Sequence, residues 1–203
     1  MPILILILFV SITFHEYAHG WMASKLGDPT PKQSGRLSLN PLVHIDLFGT
    51  IILPIILLVL STRLIGQPFT IGYAKPVPIN PYHFKNPKKD IALVGLSGPL
   101  INILIAIFLS LLIRLGFPLF TEAIILGIMI NLLLAIFNLI PIPPLDGSRV
   151  LTSFLSKKAT NIYLKLEPYG FFIIALLIIS GFFKYFILPI ITLILVNLLG
   201  INI

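Results

Sequence analysis

Apolar residues run along this chain in long blocks, and the charged residues are confined to the stretches between them. The first block, 3–24, is long enough as a helix to cross a hydrocarbon layer about 30 Å thick. Trp21 and Lys25 mark its interfacial end. A polar loop over 26–46 carries Gly27, Asp28, Pro29, Pro31, Gly35 and Pro41. The second block, 47–62, is short and has Pro54 in its middle. A second polar stretch, 63–90, holds Pro68, Pro76, Pro78, Pro81 and Pro87. Two further full-length blocks follow at 91–113 and 121–140. The sequence PIPPLDGSR over 141–149 then breaks the pattern, and a short amphipathic piece runs on to about 165. The final apolar stretch, 169–200, is interrupted by Gly181, Lys184 and Pro189, which fits two short spans or one span with an interfacial helix.

This pattern predicts an all-α polytopic membrane protein with about five to six transmembrane or half-membrane segments and short β-prone re-entrant loops near the active site. It reads as one integral-membrane domain over 1–203, with a core at about 10–150 and C-terminal membrane segments at 169–200. Composition agrees. The chain is 57% hydrophobic and 10% charged, with a mean hydropathy of +1.05, where a soluble domain carries about a quarter charged residues. The net charge of +7 does not point to nucleic acid, because the basic residues lie in short loops, as expected beside anionic lipid. The first block has no basic residues before it and no small-residue cleavage site after it, so it reads as a retained helix rather than a signal peptide.

Charge also predicts topology. Lys25, Lys32 and Arg36 precede the 47–62 block, and Arg63, Lys75, Lys85, Lys88 and Lys89 follow it. The positive-inside rule wants both groups on the cytoplasmic side, which a single crossing cannot satisfy. A re-entrant or half-membrane hairpin at 47–62 can. On that topology only Arg114 and Lys184 lie outside.

The chemistry is concentrated in HEYAH at 15–19. His15 and His19 are four residues apart, so on a helix they lie on one face and can share a metal. Glu16 is placed to take a proton from a water activated there. By helical rise the pair lies roughly 9 to 15 Å from Lys25, at a depth where an unpaired ionisable group is expensive. With no cysteine in the chain, a third ligand must be His, Asp or Glu. Asp146 is the natural choice, because Pro141, Pro143 and Pro144 end the preceding helix and unwound backbone at membrane depth belongs beside a cavity. The competing role for Asp146 is that of an ordinary helix N-cap.

HEYAH in one apolar helix and NLIPIPPLDG at 138–147 in a later segment resemble the site-2 protease family of intramembrane zinc metalloproteases (peptidase family M50). GRLSLNPLVHID at 35–46 and LSGPLIN at 96–102 are similar too, so the likeness covers nearly all of 10–150. The resemblance implies one Zn2+ per chain, held by His15, His19 and Asp146, with Glu16 as general base. It implies cleavage of transmembrane or membrane-associated peptides near the cytoplasmic face of a prokaryotic cell membrane. The chain is similar to a minimal form, with no room for a PDZ or CBS domain, and LDGS stands where LDGG is frequent.

Secondary expectations follow. Family similarity suggests that Asn138 holds substrate backbone. Asn102 packs against the metal helix or contacts substrate, and His44 stabilises an oxyanion or caps a turn. His83 reads as a solvated loop residue. Residues 32–39 and 70–79 are β-prone and are expected to offer a strand edge to an extended substrate. The rival readings are a non-proteolytic membrane metal-binding or transport protein and a membrane-anchored hydrolase of soluble peptides.

Overall fold

A computed structural model describes residues 2–64, 72–116 and 121–200. Helix α1 (Pro2–Lys25) carries HEYAH. It ends in a Schellman turn, with Asp28 N–H reaching Ala23 carbonyl (2.9 Å) and Gly27 N–H reaching Ser24 carbonyl (3.2 Å). Gly27 has φ +105°, a conformation that a Cβ would oppose. Beyond a short helix α2 (Thr30–Gln33) and a 3-10 turn (Pro41–His44), a wide helical turn (Leu47–Ile52) leads directly into α3 (Leu53–Leu64).

The block at 47–62 is therefore one helical rod, and no hairpin reverses at Pro54. Tyr73 N–H donates to Gly49 carbonyl (3.0 Å) and Lys75 N–H to His44 carbonyl (2.9 Å), so the chain that leaves along α3 is back at its starting end by residue 73. The two basic loops thus meet at one end of the molecule, as the charge pattern predicts. Arg63 does not join them: by helical rise it stands roughly 21 Å from Gly49, at the far end of the rod. The hairpin expected within 47–62 is therefore not seen there: Pro54 follows the wide turn and lies inside the rod without ending it.

Helix α4 (Pro87–Arg114) begins four residues earlier than hydropathy suggests, because Pro87 suits a first helical position and Asp90 reaches back to Asn86 N–H (2.9 Å). It packs against α1, α5 (Thr121–Asn138), α6 (Asp146–Phe154) and α9 (Leu188–Leu199). Ala106, Ile128, Leu132, Ile187 and Ile191 form the core where α4, α5 and the Phe183–Leu199 stretch that includes α9 meet. The chain reaches that stretch through α7 (Lys157–Tyr163), a 3-10 stretch, α8 (Gly170–Ile179) and a turn at Gly181. Four helical stretches are long and apolar enough to cross a membrane: 3–25, 87–114, 121–138 and 157–179. Two shorter apolar helices lie at 47–59 and 183–199. The chain is an all-α integral membrane protein.

No strand is present among the described residues. Lys32 and Gln33 belong to α2, so 32–39 offers no strand edge. Residues 72–80 do run extended, as a strap across α1. The N–H groups of Tyr73, Lys75 and Val77 all turn inward, to Gly49, to His44 and to the Glu16 carboxylate. Pro76 and Pro78 have no N–H to offer a partner strand; residues 70 and 71 of the expected edge lie outside the described residues.

Asp28 clamps the strap to α1. Its carboxylate is fully buried and accepts from Thr30 N–H (3.0 Å), Thr30 hydroxyl (2.5 Å), Asn80 N–H (2.7 Å) and His83 Nδ1 (2.9 Å). His83 is solvent-exposed, as its loop position predicts, but its Nδ1 is tied to Asp28. Burial pushes the Asp28 carboxyl up, but hydrogen bonds from Thr30, Asn80 and His83 outweigh it and hold the group below its ordinary value. The stability it contributes is full above the unfolded value, 3.8, and is lost as pH falls through the lower folded value. Asp28→Ala should cost about 2–4 kcal/mol at pH 7. The gap in melting temperature between wild type and variant, measured in detergent micelles, should narrow below the unfolded carboxyl value; a constant gap down to pH 2 would contradict the clamp.

Candidate metal centre

His15 and His19 are both buried on one face of α1. Each has its Nδ1 against an oxygen: His15 on Asn102 Oδ1 (2.5 Å) and His19 on the Val94 backbone carbonyl (2.7 Å). A carbonyl can only accept, so each ring carries its proton on Nδ1 and leaves Nε2 as a bare lone pair. Those two Nε2 atoms lie 3.1 Å apart. Asp146 Oδ2 lies 3.0 Å from the first and 3.1 Å from the second.

Three lone pairs therefore face one another in a buried space. A proton could bridge one pair of these atoms, but only a cation satisfies all three at once. Four-coordinate zinc with bonds near 2.0–2.1 Å places its donors about 3.3 Å apart, close to the separations seen here. Asp146 arrives sideways, as its position after the proline break suggests. It is the first residue of α6, and Leu145 is the N-cap, so the competing capping role does not apply. Its other oxygen looks toward Arg149, whose Nη1 stands 3.7 Å away, too far for a hydrogen bond.

Space for the ion is left by α4. A Cβ built on Gly98 would sit 2.5 Å from His19 Nε2 and 2.6 Å from His15 Nε2, in the region where a bound ion would lie. Ser97 donates to Val94 carbonyl (2.6 Å) and so shares the acceptor that orients His19.

Glu16 flanks the ligand face. Its Oε2 accepts the Val77 N–H (3.1 Å), and Val77 is itself buried, packed with Pro31 and Leu37 over Gly20. Asn102 is completely buried, bonded to His15 and, through Nδ2, to Asn131 Oδ1 (2.7 Å). Asn138 ends α5 and donates to Leu134 carbonyl (2.9 Å). His44, the last residue of its 3-10 turn, is buried with Nε2 on Ser38 carbonyl (2.9 Å), and its Nδ1 has no partner; the cap of that turn is Asn40. The structure thus brings His15, His19, Asp146, Glu16 and Asn102 together. Sequence reasoning passed over Val77, whose contribution is a backbone N–H, and Asn131, a polar residue inside an apolar block.

The chain is similar in sequence to known proteins. A family profile, peptidase family M50, matches residues 118–181, which include Asp146. The chain is 34% identical over 200 residues to "Putative zinc metalloprotease YwhC" of Bacillus subtilis, covering 93% of this chain and 85% of that protein. The chain belongs to peptidase family M50. It is by class a zinc metalloprotease. The protease is also 27% identical over 175 residues to "Putative zinc metalloprotease Rip2" of Mycolicibacterium smegmatis, covering 84% of this chain and 64% of that one. Against "Zinc metalloprotease MJ0392" of Methanocaldococcus jannaschii it is 29% identical over 162 residues, 77% of this chain but only 35% of the longer protein. No solved structure matches the protease.

The cradle at Gly98 makes a steric prediction. Gly98→Ala should weaken zinc binding by roughly tenfold or more, the scale on which misplaced ligands reduce affinity, with the helical content of the chain unchanged. Zinc per chain by mass spectrometry and helicity by circular dichroism check it; full zinc content in the variant would mean that the ion sits elsewhere.

Proposed function

We propose that the protease cuts peptide bonds in transmembrane or membrane-associated peptides near the cytoplasmic face, using one zinc held by His15, His19 and Asp146 and Glu16 as general base. The observation that carries this reading is the convergence of three bare donor atoms, two from α1 and one from the start of α6, with an acid beside the first ligand on α1. Zinc, when bound, supplies a Lewis acid that polarises the scissile carbonyl and makes water nucleophilic at neutral pH.

The rest is work for the chain's own residues. Glu16 takes the proton from the attacking water and gives it to the leaving amine. Val77 N–H occupies one carboxylate oxygen, which fixes the side-chain rotamer and leaves the second oxygen for that proton. The substrate must present an extended segment, since a helix hides its carbonyls in its own hydrogen bonds. Asn138, at the end of α5 beside the proline break, supplies an amide oxygen that can accept an N–H of such a segment. The cytoplasmic placement rests on the basic loops that gather at the Lys25 end of α1, roughly 9 to 15 Å from the ligands.

A metal-transport reading wants ligands spread along a path. Among the described residues there is one cluster of His, Asp or Glu able to hold an ion, and it is His15, His19 and Asp146. That favours a fixed catalytic ion over a conducted one.

Zinc content should fall from one per chain to near none in His19→Ala and Asp146→Ala. Glu16→Gln should keep its zinc and lose turnover by about 10²–10⁴-fold, read as cleavage of a reporter transmembrane peptide by the protease reconstituted in liposomes. Metal-dependent cleavage by Glu16→Gln at the wild-type rate would remove Glu16 as the base.

A further inference from the structure

Asn131 lies mid-way along α5, 1% exposed, and its side-chain hydrogen bonds go to Asn102, Ser11 and Gly127 rather than to a metal ligand. Its place in the network is directional. A carboxamide rotated by 180° keeps its shape but exchanges donor and acceptor. For His15 to offer Nε2 to zinc, its proton must be on Nδ1, and that needs the oxygen of Asn102 facing the ring. Turned the other way, the Asn102 amino group would face Nδ1 and move the ring proton to Nε2, where it blocks the metal.

Something must decide that rotation. Asn102 Nδ2 donates to Asn131 Oδ1 at 2.7 Å, while its contact with the Ser11 backbone carbonyl is long, 3.4 Å. Asn131 could in principle rotate as well. Its Nδ2, however, lies 2.8 Å from the Gly127 carbonyl, which can only accept, and 2.9 Å from Ser11 hydroxyl. The polarity of the chain is therefore set at its far end by the backbone of α5. From there it passes through two carboxamides to His15. With these groups buried in a membrane helix bundle, a reversed amide would leave buried polar atoms unpaired with no water to compensate.

We propose that Asn131 is a positioning residue for the metal centre: through Asn102 it sets which nitrogen of His15 carries the proton and so keeps Nε2 open for zinc. This rests on His15 being a zinc ligand. Partners that orient a ligating histidine typically change metal affinity by 10–100-fold when removed; Asn131 acts one residue further out.

The test measures zinc affinity of the full-length protease in detergent micelles by competition with a chelator. Asn131→Leu, close in shape but unable to set a direction, should weaken zinc by roughly tenfold. In an Asn102→Asp background both carboxylate oxygens accept from His15 Nδ1, so no rotation remains to be decided. There the second carboxylate oxygen stands where Asn102 Nδ2 met Asn131 Oδ1, acceptor against acceptor, so the same Asn131→Leu change should cost no zinc affinity and can raise it. Equal losses in both backgrounds would mean a general packing role, and no loss in the first would mean no role; either overturns the proposal. Histidine 15N shifts of the metal-free chain give a second readout. Asn131→Leu should move His15 from the Nδ1–H form toward a mixture, and Asn102→Asp should restore it. Should leucine not fold, Asn131→Ser, whose hydroxyl rotates freely and fixes no direction, reads the same way. His15→Ala separates the two levels: wild-type zinc affinity there would remove His15 as a ligand, whereas zinc lost in His15→Ala but unchanged in Asn131→Leu would remove Asn131 alone.

Discussion

The lone pairs of His15 Nε2, His19 Nε2 and Asp146 Oδ2 point at one another within about 3.1 Å, and without an ion they repel. Nothing in that trio holds itself together. The approach is imposed from outside by helix packing, and α4 does most of it. Val94 carbonyl turns His19, Asn102 turns His15, and Gly98 leaves the volume between them. The prolines before Asp146 have a matching role, since they stop α5 and let α6 begin at the carboxylate.

Lipid depth makes this arrangement expensive and also makes it definite. A polar group in the bundle interior has no water to fall back on, so each must find a partner of the right polarity. Ser11, Asn102 and Asn131 are all nearly or fully buried and all paired. Such a network admits few alternatives, because reversing one carboxamide would break bonds at both ends of it. The rigidity that zinc ligands need is thereby obtained from side chains that never touch the ion.

Much of the site was legible in the sequence because its chemistry is local in letters. Two histidines at helical spacing with an acid between them, and an acid after a proline break, can be read without a fold. The membrane architecture was legible for a similar reason, since blocks of apolar residues need little tertiary information to become helices. What escaped was of two kinds. Asn131 looked like an interruption in an apolar run, and only the distance to Asn102 shows what it does. Val77 acts through its N–H, which every residue but proline has, so no letter could announce it. Arg63 was misjudged for a different reason: like charges on both sides of a short block implied a reversal inside it, whereas residues 47–64 run on as one helical rod. Charge reports which ends meet, not where the chain turns.

Glu16, the proposed base, and the three candidate ligands are held by different parts of the chain. The histidines are oriented from within the bundle, by α4 and, through it, α5. Glu16 is oriented by the 72–80 strap, whose anchor is Asp28 at the loop end of α1. Among the described residues these two supports share no hydrogen bond. A disturbance of the strap therefore reaches the proton-transferring carboxylate before it reaches the ion, and a disturbance among the buried asparagines does the reverse. Since Glu16 follows His15 directly in sequence, the single helix that carries both could not separate the two functions by itself. Separation comes from what each side chain leans on: one on a membrane-buried amide, the other on a backbone N–H supplied by a loop. On the proposed function that division lets the loop side give way to a substrate while the three candidate ligands keep their arrangement.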